Sequence, residues 1–291
     1  MREELRSAVA GALEVLTGAR TTLEISPRGG GLHETWLLTD QAGRRWFLKS
    51  SASAPSDQFP SEAEGLAALA DPDALRVPRH PTAGGPPPFL LMEAIGTGPR
   101  GPRFAERLGR GLAELHRRTT GSRYGFPCDN YLGATPQPNG WLDDWETFVR
   151  ERRLRPQLEQ VRRAGLGDEE LDRLGDRLIE RLESLLAGPD EPPCLLHGDL
   201  WSGNVLADEA GEPVLVDPAC WHGRREAELG MMLLFGGFSA RCYDAYDEVW
   251  PLEGDWRRRA QVFVVYHLLN HVNLFGRGYR DSCVQALRRL V

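Results

Sequence analysis

Lysine is almost absent from this chain. Of its 35 basic residues only Lys49 is a lysine, the rest are arginines, and 42 acids bring the formal charge to −7. Arginines interspersed with that many acids lack the concentrated positive charge that holds nucleic acid or an anionic membrane, so neither is expected as a partner. Cysteine is scarce as well. Cys128, Cys194, Cys220, Cys242 and Cys283 are odd in number, widely spaced and without a CxxC pair, which argues against a disulfide framework or a zinc ribbon and fits a reducing cytoplasm. Long apolar runs are missing too: stretches such as MMLLFGGF at 231–238 fall well short of the roughly 20 residues needed to span a bilayer. The N-terminal MREELRSAVAGALEVLTG interrupts its apolar residues with Glu3, Glu4, Arg6 and Glu14, so it reads as an amphipathic helix and not as a signal peptide.

What is present is ordinary for a globular protein. The 291 residues are 41% apolar and 26% charged, enough for one large or two modest domains with a sizeable core and a small substrate. Leu23 to Thr39 and Arg44 to Ser50 read as β-hairpin strands around the turns Pro27-Arg28-Gly29-Gly30-Gly31 and Asp40-Gln41-Ala42-Gly43. Phe59 to Ala70 has helical spacing, the proline-rich 72–88 reads as a connection, and Phe89-Leu90-Leu91-Met92 reads as a buried strand. The Gly/Pro-rich 94–103 is the linker candidate, and beyond it leucine spacing predicts helices ending near His116, over 171–185 and over 262–274. The expected organisation is a β-rich lobe at 1–94 and an α-rich lobe at 95–291. No internal repeat is visible.

Two acidic elements stand close together in LLHGDLWSGNVLADEAGEPVLVDPA at 195–219. Asp199 precedes Asn204 by five positions, and Asp217 ends the apolar run Val214-Leu215-Val216. This is the order used in phosphoryl transfer: an aspartate that accepts the attacking hydroxyl's proton, then an asparagine and a strand-end aspartate that offer oxygens to Mg²⁺. Such a site also needs a cation on the nucleotide phosphates, held by a helix carboxylate. Lys49 ends the strand RRWFLK, and Glu62 and Glu64 follow as possible partners; Glu62 is preferred because Leu66 and Leu69 lie at i+4 and i+7 from it, toward the core. A compact ammonium does there what a planar guanidinium does not.

At this point the chain resembles the fructosamine kinases, or ketosamine 3-kinases, within the aminoglycoside-phosphotransferase-like branch of the protein-kinase-like fold. The resemblance rests on LLHGDLWSGN at 195–204 and VDPA at 216–219, on the insert YGFPCDNYLGATPQPNGW at 124–141 with Trp145 and RERRL at 150–154, and on LLFGGF at 233–238 with YHLLNHVNLFGRGY at 266–279. It implies an α+β, two-lobed fold and an ATP- and Mg²⁺-dependent enzyme that phosphorylates the 3-hydroxyl of a ketoamine sugar on an amine, such as glycated protein lysine, so that the adduct is destabilised and the amine is repaired. By the same resemblance Asp199 is the catalytic base, Asn204 and Asp217 the metal ligands, Lys49 and Glu62 the phosphate-positioning pair, and Trp201 the aromatic face against the ketoamine. Gly30 and Gly31 would lie over the phosphates, and Glu93 to Ile95 would meet adenine through the backbone.

Two departures from the family pattern are visible. The turn PRGGGLHET lacks the cysteine many members carry there, and ELGM at 228–231 replaces the usual DLAM, leaving Glu228 without an assigned role. The nearest rivals are an aminoglycoside- or choline-type phosphotransferase and an inactive nucleotide-binding module. Other features have plainer readings. His267 and His271 stand at i, i+4 without the glutamate of a metalloprotease helix and are expected to pack, as are His116 and the pair Trp141 and Trp145; Arg257-Arg258-Arg259 is expected to be a solvated helix face.

Overall fold

The computed structural model describes residues 1–19, 22–28 and 33–291. The chain divides into two compact units, Met1–Phe104 with Val205–Asp217, and Ala105–Asn204 with Pro218–Val291. This division differs from a single boundary after residue 94: residues 95–104 stay with the first unit, and the later segment 205–217 returns to it.

The first unit is built on an antiparallel sheet of β1 (Glu24–Arg28), β2 (Glu34–Thr39), β3 (Arg45–Ser50), β4 (Thr82–Gly84) and β5 (Phe89–Glu93), in the order β1-β2-β3-β5-β4. Strand β4 lies inside the proline-rich stretch expected to be a connection. Asp40 fixes the β2–β3 turn, its carboxylate accepting the N–H groups of Ala42 and Arg44, the Arg44 guanidinium and the Trp46 indole. Helix α1 (Glu3–Thr17) buries Leu5, Val9 and Leu13 at four-residue spacing, against Trp36, Leu38, Trp46, Leu48, Phe89 and Leu91 from one face of the sheet. Because strand side chains alternate, Lys49 points away from this core and toward α2 (Gln58–Ala70). Helix α2 buries Phe59, Leu66 and Leu69, the stripe on which Glu62 also lies.

Residues 205–217 join this unit as an antiparallel pair, Val205–Ala207 with Pro213–Leu215. The Leu215 N–H donates to Arg76 O and the Gly98 N–H to Ala207 O, while the Arg76 guanidinium bridges Asp208 at 2.6 Å and Glu93 at 2.8 Å. These bonds anchor the segment that ends in Asp217.

The second unit is mostly helical. The helix expected over 171–185 is two, Glu169–Glu180 and Leu182–Leu186, separated at Arg181. The one expected over 262–274 is part of Trp256–Phe275, packed against Glu226–Leu234. Arg259 is a correction to the expected solvated face: it is 3% exposed and paired with Glu226, while Arg257 and Arg258 are exposed. Trp145 is buried in a stack with Phe148, Trp221 and Phe263, whereas Trp141 is half-buried beside His222. A short pair, Cys194–Leu196 with Trp221–Gly223, leads into the segment 197–204.

Candidate active site

In the first unit, Lys49 is buried and its Nζ lies 2.7 Å from Glu62 Oε1 and 2.5 Å from Asp217 Oδ1. Burial opposes the ammonium charge, but the two carboxylates outweigh it and hold the Lys49 pKa above its ordinary value. Burial pushes the Glu62 carboxyl up, with Lys49 pulling against it. Glu64 is exposed, so only one of the two candidate glutamates meets the lysine. Asp217 holds a left-handed backbone, φ 57°, a conformation that aspartate tolerates better than most residues but that still stores strain of about 1–3 kcal/mol. Nearby His33 sits edge-on to Phe59, its pKa lowered by burial and then by Lys49, so the ring is neutral. The spacing argument had no means of finding His33. Gly29, Gly30 and Gly31 lie outside the described residues.

Glu93 closes β5. Its carboxylate accepts from Arg76 and from the Arg79 N–H, its own N–H donates to Arg79 O, and the Ala94 N–H donates to Arg45 O. The turn that carries Glu93 and Ile95 is therefore pinned by side-chain and main-chain bonds together.

The second unit carries Asp199, Trp201 and Asn204. Asn204 donates its side-chain N–H to Asp199 O at 2.9 Å and to Asp199 Oδ2 at 3.3 Å, closing the five-residue spacing into a ring. The intervening backbone turns tightly, with the Trp201 N–H on Asp199 O and the Asn204 N–H on Trp201 O. Upstream, Gly198 adopts φ +82°, and a β-carbon there would lie 2.0 Å from Ala219 O, so only glycine fits. His197 O accepts the Ala219 N–H at 2.8 Å, and the N–H groups of His197 and Gly198 both donate to Glu228.

Trp201 folds over Gly203, where a β-carbon would come within 2.2 Å of the indole, and meets Phe235 edge-on at 6.5 Å. Its side of the molecule stays open: Trp201 is 40% and Phe235 43% exposed. Asn130 and Gln137, from the insert, donate to the carbonyls of Cys220 and Ala219 and so hold the chain just after Asp217. Neither residue was singled out from the sequence, where isolated amides carry no signal.

The geometry thus groups Lys49, Glu62 and Asp217 in one unit, and Asp199, Asn204 and Trp201 in the other. Among the described residues no cluster of three His, Cys, Asp or Glu side chains could hold a metal by itself. Asn204 carries an amide oxygen in the second unit and Asp217 a carboxylate in the first, each an oxygen donor of the hard kind that Mg²⁺ takes.

Residues 7–291 match the family model described as fructosamine kinase. Protein-ribulosamine 3-kinase, chloroplastic, of Oryza sativa subsp. japonica is 40% identical over 280 residues, covering 94% of this chain and 81% of the rice protein. The crystal structure of a candidate fructosamine-3-kinase from Thermobifida fusca is 34% identical, with a TM-score of 0.87 over 97% of this chain and 98% of that one. A thermostable mutant of aminoglycoside phosphotransferase, solved with AMP-PNP and hygromycin B, reaches a TM-score of 0.62 at 14% identity, over 97% of this chain and 96% of its own, a likeness of fold alone. The fold is accordingly the α+β, protein-kinase-like phosphotransferase fold. Since the family model accounts for nearly the whole chain and the rice enzyme shares two residues in five with it, the chain belongs to the fructosamine kinase family.

Proposed function

We propose that this protein transfers the γ-phosphoryl group of ATP to the 3-hydroxyl of a ketoamine sugar, free or on a glycated protein lysine, as a step in amine deglycation. The observation that carries the proposal is Lys49, the chain's single lysine, buried between Glu62 and Asp217 in a member of this family. Glu62 fixes the ammonium so that it presents its remaining donor capacity to the phosphates as a point charge. The Glu93 carbonyl and the Ile95 amide offer an acceptor and a donor to the adenine edge, on a turn already pinned by Arg76 and Arg79. Gly30 and Gly31 would supply backbone N–H groups to the phosphates.

Asp199 accepts the hydrogen bond of the sugar hydroxyl, orients it and takes its proton as the bond to phosphorus forms. Asn204, tied to Asp199, keeps that carboxylate from rotating. Mg²⁺, held by Asn204 and Asp217, would neutralise charge on the phosphate oxygens. Trp201, partly open to solvent, provides an apolar wall for the sugar and its amine. No helix among the described residues is long and apolar enough to cross a membrane.

The test is a substrate panel. With ATP and Mg²⁺, ADP release should depend on added ribulosamine or fructosamine. Release driven only by an aminoglycoside or by choline would overturn the substrate assignment, and ATP binding without any acceptor turnover would mark an inactive module.

A further inference from the structure

Arg153 is a buried charge that the transfer chemistry leaves unused. It stands on a π-helical turn, Val149–Leu154, a rare form concentrated at functional sites, and is wholly buried. Its guanidinium lies over the rings of Phe148 and Trp221, 4.6 and 4.2 Å from their centroids. The bonds it makes go to neutral oxygens: Nη1 donates to Pro138 O at 2.7 Å and to Arg152 O at 2.9 Å, and Nη2 to Asn139 Oδ1 at 2.6 Å. Burial pulls its pKa down to about 10, so it is still charged at neutral pH. A desolvated cation held in this way is costly, and an apolar side chain of similar volume often serves stability as well or better. The charge therefore calls for another use.

That use follows from where the bonds lead. A guanidinium only donates, so Asn139 turns its oxygen to Arg153 and its Nδ2 to Asn130 Oδ1, at 2.9 Å. Asn130 is left with its Nδ2 for the Cys220 carbonyl, at 2.8 Å. Gln137 donates to the same Asn130 oxygen at 2.7 Å and to Ala219 O at 3.1 Å, while its own oxygen accepts the Tyr266 hydroxyl at 2.6 Å. All three amides are buried, and the charge at one end fixes which way each of them faces.

The network ends on Ala219 and Cys220, and one of the rings over which Arg153 lies belongs to the next residue, Trp221. Three consecutive residues are thus held by one buried cation. Asp217 is joined to them through Pro218 alone, whose ring fixes its φ, so little slack separates the held stretch from the aspartate. Asp217 itself has φ 57°, a left-handed conformation that persists only where its surroundings over-determine it. We propose that Arg153, acting through Asn139, Asn130 and Gln137, is a positioning residue for Asp217: it fixes the stretch 219–221 and so the backbone from which the Asp217 carboxylate is offered to Mg²⁺. This deepens the proposed kinase activity and rests on it, since it requires Asp217 to be a metal ligand.

The test is calorimetric and uses the whole chain. Affinity for AMP-PNP, a non-hydrolysable ATP analogue, is measured with and without Mg²⁺ for the parent, Arg153→Met and Gln137→Met. Methionine keeps the unbranched stem in both, and Gln137→Met leaves the Tyr266 hydroxyl its second partner, Gln157. Each variant should lose about 10- to 100-fold in affinity for the magnesium complex, while its affinity for AMP-PNP alone stays within about twofold of the parent. A merely structural role moves neither affinity or lowers both together. Parent-level affinity in both conditions, or an equal loss in both, would therefore overturn the proposal, as would a parent whose affinity does not respond to Mg²⁺. If Arg153→Met does not fold, Gln137→Met, which leaves the cation in place, decides. A parent that binds the magnesium complex and phosphorylates no ketoamine would instead sink the activity assignment, and the two affinities still decide whether Arg153 positions Asp217.

Discussion

Replacing Lys49 by methionine removes an ammonium from the first unit and changes little else in volume. The Lys49 and Glu62 side chains are 7% and 13% exposed, so neither is well solvated, and Glu62 would be left as a buried carboxylate without its cation. Breaking a buried pair in this way costs about 3–5 kcal/mol. Asp217 adds little to that figure, because its side chain is 47% exposed and water can replace the lysine. The expected loss is therefore near the lower bound, about 3 kcal/mol. In urea denaturation at pH 7 this moves the midpoint down by about 1–3 M at constant m. Two controls follow from the cause. Glu62→Gln added to Lys49→Met should restore most of the stability, since the orphaned charge is gone. Lowering the pH should also shrink the deficit: burial already raises the Glu62 pKa, so without Lys49 the folded state binds a proton that the unfolded state releases, and stability then rises as pH falls. A loss under about 1 kcal/mol, or a double variant no more stable than the single one, would refute the idea that this lysine is held by charge in a dry site.

Three further outcomes are expected. Asp199→Asn should lower turnover by about 10²- to 10⁴-fold while calorimetric binding of a non-hydrolysable ATP analogue stays near the parent value; full activity would show the base to be misassigned. Gly198→Ala should abolish turnover, because the new β-carbon would lie 2.0 Å from Ala219 O at a φ of +82°; an active variant would mean the loop adopts another backbone. His267 is buried with its pKa lowered from 6.5 to about 3, chiefly by burial and then by His271. Between those two values the unfolded chain binds a proton that the folded one does not. Stability is thus fully present above pH 6.5 and falls on acidification, by about 2 kcal/mol from this residue between pH 7 and 5. His267→Gln should remove that share of the slope in denaturation measured across pH, and an unchanged slope would contradict the assignment.

The parts of this molecule that were legible in the sequence are those written in spacing. Asp199 and Asn204, five apart, close their own ring, and the stripe of Leu66 and Leu69 chose Glu62 over Glu64, the pairing seen at 2.7 Å. Strand β3 and helix α1 followed their own periods. What stayed hidden depends on contacts between distant segments. Nothing in VLADEAGEPVLVD marks 205–217 as part of the first unit, because the Leu215-to-Arg76 bond and the Arg76–Asp208 pair join positions far apart in the chain. Strand β4 is three residues in a proline-rich stretch, too short to show a period. Arg259 looked solvated beside two other arginines until Glu226, from another helix, came to meet it. Glu228 takes the His197 and Gly198 N–H groups from a helix 31 and 30 positions further along the chain, a contact that no spacing in the sequence displays.

The most direct test of the central claim is where the phosphate goes. The protein should be incubated with ATP, Mg²⁺ and a ribulosamine or fructosamine, and the product examined by phosphorus-detected NMR correlation to the sugar protons. A phosphate coupled to the proton on carbon 3 of the ketoamine, absent when Asp199→Asn is used, is the predicted result. No phosphorylated sugar from either ketoamine, or a phosphate on any other oxygen, would contradict the account.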